Sequence, residues 1–227
     1  MGMEMDRRGW VAMRVARFPL WSGALLMLSS LSLSCNLLTP IIFVGEHRKQ
    51  ISAEFDKLAK KKAAVLVWVH PSTLFDYPHA RLELASYVSD KLAAETRQRG
   101  MATEVVNARL VEDFLQKNAA ARIDPRSVGR QFDADYVVYL EVLEFQMRDP
   151  HQPQFLQGMI QASVAVHDIK ADPDQFQPYE LTPIRCLYPE NGPVMLSAGN
   201  APLIREGSYR RFAELVARKF YDYTVDL

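Results

Sequence analysis

One long stretch of the sequence, from Phe18 to Gly45, contains no charged side chain, and it limits what the start of the chain can become. The residues before it are basic, because Arg7, Arg8, Arg14 and Arg17 are opposed only by Glu4 and Asp6. A basic leader before an apolar run is typical of an export signal, since arginines stay on the cytoplasmic side while the apolar segment enters the bilayer. We therefore predict that residues 1–34 are a signal peptide or a membrane anchor.

Cys35 lies inside the uncharged stretch and ends the segment LSLSC at positions 31–35. This segment resembles a bacterial lipobox, in which a peptidase cuts before a cysteine whose thiol receives diacylglycerol. Ser34 has the small side chain that the cut requires, and Ser32 stands where the pattern favours leucine. The resemblance implies lipidation at Cys35 on the exported, periplasmic side of the membrane. Asn36 after the cysteine favours the outer membrane.

Two other interpretations of the uncharged stretch stay open. It exceeds the ~20 residues that a helix needs to cross ~30 Å of hydrocarbon, so it is long enough to be a retained transmembrane helix. Pro40 and the four serines between positions 29 and 34 make it a mediocre one. The third interpretation is a buried helix of a soluble domain, which the basic leader disfavours. The first two interpretations make membrane lipid a partner of the amino terminus.

The composition of the whole chain is that of a globular protein, with 48% hydrophobic and 24% charged residues. Its 27 basic residues equal its 27 acidic residues, so the basic surplus that nucleic-acid binding needs is missing. The segment 46–62 is highly charged, and we predict a lipid-attached tether over 35–62, followed by one globular domain over 63–227. Two cysteines, Cys35 and Cys186, are too few for a disulfide framework, and Cys186 is predicted to be a small buried hydrophobe.

The pattern of apolar residues after position 62 predicts an α/β (α+β) fold. Residues 63–69, AAVLVWV, are a short continuous apolar run, as in a central strand buried on both faces. A helical pattern follows from Ala80 to Gly100, and residues 134–145 alternate as a long strand with 156–169 as its antiparallel partner. The order of elements predicts a mixed β-sheet with helices packed on it, preceded by the signal or anchor helix.

Two finer expectations concern side-chain direction and the last helix. Simple alternation in the long strand places Glu144 on the same face as Val142, and Phe145 on the opposite face with Glu141. Ser208 is predicted to cap a final helix whose aromatic residues form its inner, buried face.

The segment from about residue 60 to 170 resembles a module of envelope proteins that recurs in the amino-terminal domain of TolB and in CsgG, PelC and LpoB. The matching sequences are AAVLVWV at 63–69, RLVEDFL at 109–115 and DADYVVYLEVLEF at 133–145, with Gly129 before the last of them. The resemblance implies an exported bacterial lipoprotein whose domain is a non-catalytic binding or assembly module. Its implied partner is an envelope protein or a second copy of the chain.

Candidate chemistry is sparse and lies in the loop after the first strand, where His70, Asp76 and His79 occur. Carboxyl ends of strands gather ligands in α/β folds, and a metal would need three ligands converging at ~2.0–2.2 Å. The spacing permits such a site without requiring it, so a metal-dependent hydrolase stays an alternative. The chain has no GxSxG elbow, P-loop or HExxH motif. We therefore predict a protein that is not an enzyme and needs no cofactor.

Overall fold

A five-stranded mixed sheet organises the part of the chain that the computed structural model describes, residues 48–122, 124–148, 152–172 and 177–226. The strands are β1 Arg48–Ile51, β2 Lys62–Val69, β3 Glu104–Val105, β4 Tyr136–Gln146, β5 Phe155–Leu156, β6 Gly158–Asp168, β7 Tyr179–Tyr188, β8 Val194–Met195 and β9 Tyr223–Asp226. The main sheet has the order β3-β2-β4-β6-β7, while β1 pairs with β9 and β5 with β8. The first three strands of this order run parallel and the last three antiparallel, which confirms the predicted mixed sheet.

The helices between these strands cover both faces of the sheet. They are α1 Pro71–Asp76, α2 Ala80–Gln98, α3 Ala108–Lys117, α4 Pro125–Gln131 and α5 Asn200–Ala217. Short 3₁₀ turns follow at Ala119–Arg122 and Arg218–Phe220. Most buried side chains of α2 and α5 belong to one hydrophobic core, whereas Val111 and Leu115 of α3 and Val128 of α4 belong to a second core on the other face.

The central strand β2 is buried on both faces, as its unbroken apolar sequence predicts. Val65 and Val67 belong to the larger core beneath α2 and α5, whereas Ala64 and Leu66 belong to the smaller core beneath α3 and α4. The larger core also receives the side chains of Leu84, Val88, Leu92, Tyr209, Phe212, Val216 and Phe220. Tyr209 and Phe212 therefore lie on the inner face of the last helix, as predicted. The prediction that Phe220 and Tyr223 continue this helical face was wrong, because the helix ends at Ala217 and Tyr223 lies in β9.

A β-bulge at Leu143 reverses the side-chain alternation of β4. Val142 and Glu144 pair with two adjacent residues of β6, so Leu143 has no partner in the register. Beyond the bulge Phe145 packs against the larger core, and Glu144 leaves the face of Val142. The predicted directions of Glu144 and Phe145 were wrong, because one extra residue shifts the two-residue period of a strand by one.

Two glycines allow a helix and the sheet to approach closely. A β-carbon added to Gly158 in β6 would lie 2.8 Å from the β-carbon of Ser208 in α5 and would overlap its hydroxyl. A β-carbon added to Gly129 in α4 would lie 2.6 Å from the Cδ1 of Ile169. Ser208 is not a cap, because α5 begins eight positions earlier at Asn200. Its buried hydroxyl instead donates to the carbonyl of Ile204 at 2.6 Å.

Asp135 joins the beginnings of β2 and β4 to the end of β6. Its carboxylate accepts the backbone N–H of Lys62 at 2.9 Å and pairs with Lys170 at 2.6 Å. Its carbonyl accepts the N–H of Ile169 at 2.9 Å. Burial acts to raise the pKa of Asp135, but the hydrogen bonds from Lys170 and Lys62 outweigh it and lower that pKa.

The chain packs on the domain earlier than residue 63, where the sequence places the start of the domain. After β1, the side chains of Phe55 and Leu58 enter the larger core. The backbone N–H groups of Glu54 and Phe55 both donate to the carbonyl of Lys219, at 2.9 and 3.0 Å. The physical reason is that two apolar residues within a charged segment find buried positions, which holds part of the expected tether against the domain.

Candidate binding site at the carboxyl end of the central strand

The carboxyl end of β2 is the place where the topology of the sheet opens a crevice. The chain leaves β2 through α2 to reach β3 on one side, and then passes through α3 and α4 to reach β4 on the other side. Where successive connections run to opposite sides of a strand, ligands bind in the crevice beyond the strand ends. The loop that the sequence singles out, residues 70–79, lies at this position.

Local hydrogen bonds and one ring contact fix the shape of this loop. The Nδ1 of His70 accepts the backbone N–H of Ser72 at 3.2 Å and lies 2.7 Å from the Ser72 hydroxyl. Pro71 occupies the first position of α1, where no N–H is needed. At the other end, the ring of Tyr77 packs edge-on against Phe145, with 5.0 Å between ring centroids. Both ends of α1 are therefore held in place.

The three candidate metal ligands do not share one site. His70 caps α1, whereas Asp76 and His79 line a separate cavity of about 80 Å³ together with Glu83, Arg205 and Tyr209. Within the described ranges, no group of three or more histidine, cysteine or acidic side chains is arranged to hold a metal ion. The loop is a set of capping and surface groups in this structure.

Tyr209 brings a buried hydroxyl to the wall of that small cavity. The residue is 2% exposed, and no described residue forms a hydrogen bond with its hydroxyl. Burial raises the pKa of Tyr209, and the negative charge of Glu83 raises it further. The hydroxyl is therefore protonated throughout the physiological range and is not a proton acceptor in this cavity.

A second cavity, which we call the strand-end pocket, lies between the end of β2 and the first turns of α1. Its volume is about 230 Å³. It is lined by Val67, Trp68, Val69, Pro71, Leu74, Arg81 and Ala119. All but one of these side chains are apolar, and a mostly apolar pocket with few polar groups is the usual form of a ligand site.

The one polar residue that lines the strand-end pocket is Arg81, whose guanidinium is held in place by Glu112. Arg81 Nε donates to Glu112 Oε2 at 2.8 Å, and a second nitrogen of the same guanidinium donates to Oε1. The two side chains are 13% and 11% exposed. A bidentate pair of this kind fixes the plane of the guanidinium and joins α2 to α3.

Phe75 in α1 is next to the strand-end pocket in the chain, but its own side chain is 87% exposed. Its neighbour Leu74 lines the pocket. Trp68, also at the pocket wall, is half-buried, and its ring lies edge-on to that of His70 with 6.0 Å between centroids. The crevice thus combines a concave apolar surface with a protruding phenyl ring.

A charged cleft of about 230 Å³ lies elsewhere, at the outer edge of β7, and Arg185, Arg218 and Lys219 are among its lining residues. Lys219 is nearly buried and pairs with Glu54 at 2.7 Å. Burial acts to raise the pKa of Glu54, but the hydrogen bond from Lys219 and the backbone N–H of Thr182 outweigh it and lower the pKa. This pairing ties the segment after β1 to the 3₁₀ turn that follows α5.

Sequence reasoning pointed to the loop after β2 but not to Arg81 and Glu112, which pair beside the strand-end pocket. Arg81 and Glu112 are 31 residues apart in the chain, so no local pattern connects them. A partial signal was available in α3, where Glu112 occupies a buried helical position beside Val111 and Leu115. Leu110, the residue before Val111, is 55% exposed despite its apolar side chain.

Of the two cysteines, Cys186 lies within the described residues and Cys35 does not. Cys35, the predicted lipidation site, lies outside the described residues, as does the whole predicted signal or anchor segment. Cys186 is buried, as predicted, and burial raises its thiol pKa to about 12. Among residues 48–122, 124–148, 152–172 and 177–226, no helix has the length and apolar character to cross a bilayer.

Comparison with known proteins finds no matching protein family and no matching curated protein. Several solved structures are similar at low identity. A PelC dodecamer from Paraburkholderia phytofirmans is 14% identical, with 76% of this chain and 98% of that chain covered and a TM-score of 0.39. The lipoprotein GNA1162 from Neisseria meningitidis is 15% identical, with 68% of this chain and 99% of that chain covered and a TM-score of 0.36. The hypothetical protein CT253 from Chlamydia trachomatis is 14% identical, with 71% of this chain and 98% of that chain covered and a TM-score of 0.37. At these values the chain is assigned to no family.

Proposed function

We propose that this chain is a membrane-anchored lipoprotein of the bacterial cell envelope whose folded domain is a non-catalytic binding or assembly module. The observation that carries the proposal is the order of features along the sequence. A basic leader, an uncharged stretch from Phe18 to Gly45 and a lipobox-like segment ending at Cys35 precede a folded domain. Such an order is the one that export and lipid attachment require.

The chemistry of the described side chains supports binding in preference to catalysis. His70 is engaged in capping, and Arg81 and Glu112 neutralise each other. The thiol of Cys186 has its pKa raised to about 12, so it carries almost no reactive thiolate near neutral pH. The strand-end pocket, in contrast, has the apolar lining and single fixed polar group that suit recognition.

The position of β1 sets how far the domain would lie from the lipid. Residues 36–47 separate Cys35 from β1, which begins at Arg48. An extended chain spans at most about 3.3–3.6 Å per residue, so this segment reaches roughly 40 Å at most. A domain attached at Cys35 would therefore work close to its own membrane.

Metabolic labelling with palmitate tests the anchor. Wild type is expected to incorporate the label and Cys35→Ala to lose it. Cys186→Ala, which removes the other cysteine of the chain, is the matched control and should label like wild type. Equal labelling of wild type and Cys35→Ala, or none in either, contradicts lipidation. Mass spectrometry of the purified protein adds a second criterion, because an intact Met1 terminus indicates the retained single-pass alternative.

A further inference from the structure

Phe75 protrudes from the short helix α1, and the strand-end pocket is a recess beside the same helix. Phe75 is 87% exposed, while Leu74, the residue before it, lines the recess. An exposed phenyl ring gives up the stabilisation that burial of its ~150–250 Å² would supply. The loop around it is fixed by the His70 cap and by the ring contact between Tyr77 and Phe145, so the ring is held out in the free protein.

The recess is large enough to accept such a ring. Its volume is about 230 Å³, and an engineered apolar cavity of ~150 Å³ is known to bind benzene. The residues that line it include Trp68 at the end of β2, Pro71 and Leu74 in α1, and Ala119, all of which are apolar. The size and lining of the recess thus fit a phenyl group.

Arg81 favours an aromatic occupant over an aliphatic one. Arg81 is one of the residues that line the recess, and its guanidinium is held by two hydrogen bonds to Glu112. A guanidinium lying against the face of an aromatic ring is attracted by the electrons of that ring, and the attraction grows where water is excluded. A leucine or valine side chain would fill the same space without this attraction.

We propose that Phe75 of one copy of the chain inserts into the strand-end pocket of a second copy. The protrusion and the recess adjoin in α1, so a two-fold axis beside this helix lets two copies exchange their phenyl rings reciprocally. The inference deepens the proposed function and rests on its assembly role, because it names a second copy as the partner of the module. Phe75 and the pocket residues are then the self-association surface.

The area of this contact predicts where it forms. Two rings that each bury ~150–250 Å², with a similar area of pocket wall, stay below the ~1,200 Å² of a stable interface. The contact is therefore weak between freely diffusing chains. It is favoured between chains confined to one bilayer, where the effective concentration is higher.

Site-specific photo-crosslinking in vesicles tests the proposal. The purified full chain, carrying a photoreactive phenylalanine analogue at position 75, is reconstituted into phosphatidylcholine vesicles and illuminated. We expect crosslinked dimers in which position 75 is joined to residues 67–74 or to Ala119 of the second copy. The matched control carries the analogue at Leu203 in α5, which is 63% exposed and outside the pocket. Control dimers are expected to be roughly tenfold fewer, the factor that corresponds to about 1.4 kcal/mol.

A second variant closes the recess of the acceptor copy. Ala119→Trp adds an indole at the pocket wall and should lower crosslinking from position 75 to the control level. Its thermal unfolding midpoint should match that of wild type, because Ala119 is exposed. Equal crosslinking from positions 75 and 203, crosslinks outside the pocket, or wild-type crosslinking into Ala119→Trp would overturn the inference.

Palmitate labelling of the same preparations separates this inference from the proposed function. Chains that carry palmitate but do not crosslink from position 75 refute the self-association surface and leave the lipoprotein proposal standing. Chains that crosslink into the pocket without palmitate support the surface and refute the lipid anchor.

Discussion

Replacing Gly158 by alanine should destabilise the fold through one contact between β6 and α5. The added methyl would lie 2.8 Å from the β-carbon of Ser208, overlap its hydroxyl and lie 3.4 Å from the sulfur of Met147. Ser208 is completely buried, and its hydroxyl donates to the carbonyl of Ile204 inside the helix, so it has little freedom to move. Overpacking of this kind costs about 1–3 kcal/mol.

Removal of the opposing side chain should relieve the cost. Ser208→Gly alone is expected to lose roughly 0.5 kcal/mol, the difference between the helix propensities of serine and glycine. The double variant should be more stable than Gly158→Ala alone, because the methyl then occupies the space of the serine side chain. The double-mutant cycle should therefore give a favourable coupling of about 1–2 kcal/mol.

Thermal unfolding followed by circular dichroism measures these differences. For a protein of this size, 1 kcal/mol shifts the midpoint by roughly 2–4 °C, so Gly158→Ala should unfold several degrees lower than wild type. Gly192→Ala is a useful contrast, because its cost arises from a backbone φ of +110° and no atom lies within 4 Å of its added β-carbon. If Ser208→Gly fails to rescue Gly158→Ala, the close approach of strand and helix is not the cause.

Three further predictions concern charge and reactivity. Asp135→Asn should lose about 1 kcal/mol at pH 7, the value of a typical hydrogen bond, with urea unfolding as the measurement. Because the folded-state pKa of Asp135 is lowered, its contribution is present above pH ~4 and is lost as the pH falls through that lowered pKa. Arg81→Met and Glu112→Gln should each cost about 2–3 kcal/mol, below the ~3–5 kcal/mol of a fully buried pair, and the double variant less than the sum. In a Cys35→Ala background, Cys186 should react with thiol reagents only on unfolding.

Each of these three expectations has a distinct contrary result. If the free energy of unfolding of Asp135→Asn falls between pH 7 and pH 3 by as much as that of wild type, other carboxylates cause the fall. Additive costs for Arg81→Met and Glu112→Gln would show that their side chains do not act as a pair. Rapid modification of Cys186 in the folded protein would show that its thiol is reached without unfolding.

The elements that could be predicted from sequence are those whose pattern is local. The apolar run at 63–69 predicts a doubly buried strand because both faces of β2 need apolar residues. The alternation after Ala134 predicts β4 correctly as far as Val142. It fails at Leu143, because the bulge depends on pairing with β6, which no local period records.

The site was predictable in position but not in composition. A strand followed by a polar loop marks the carboxyl end of β2, and His70 and Asp76 drew attention to it. The contact between Arg81 and Glu112 depends on how α2 and α3 lie against each other, which sequence spacing does not determine. The exposure of Phe75 could not be predicted either, because the local sequence around an isolated aromatic residue does not show whether its side chain is buried or exposed.

The pairing of β1 with β9 has a mechanical consequence for a chain held by its amino terminus. Tension applied at Arg48 would enter the described part of the chain at β1 and load the pairing of β1 with β9. The next resistance is the junction where Glu54 and Phe55 bond to Lys219. Such a force must therefore break the contacts of β1 with β9 before it loads the central sheet, so moderate stretching would leave the crevice beyond β2 intact.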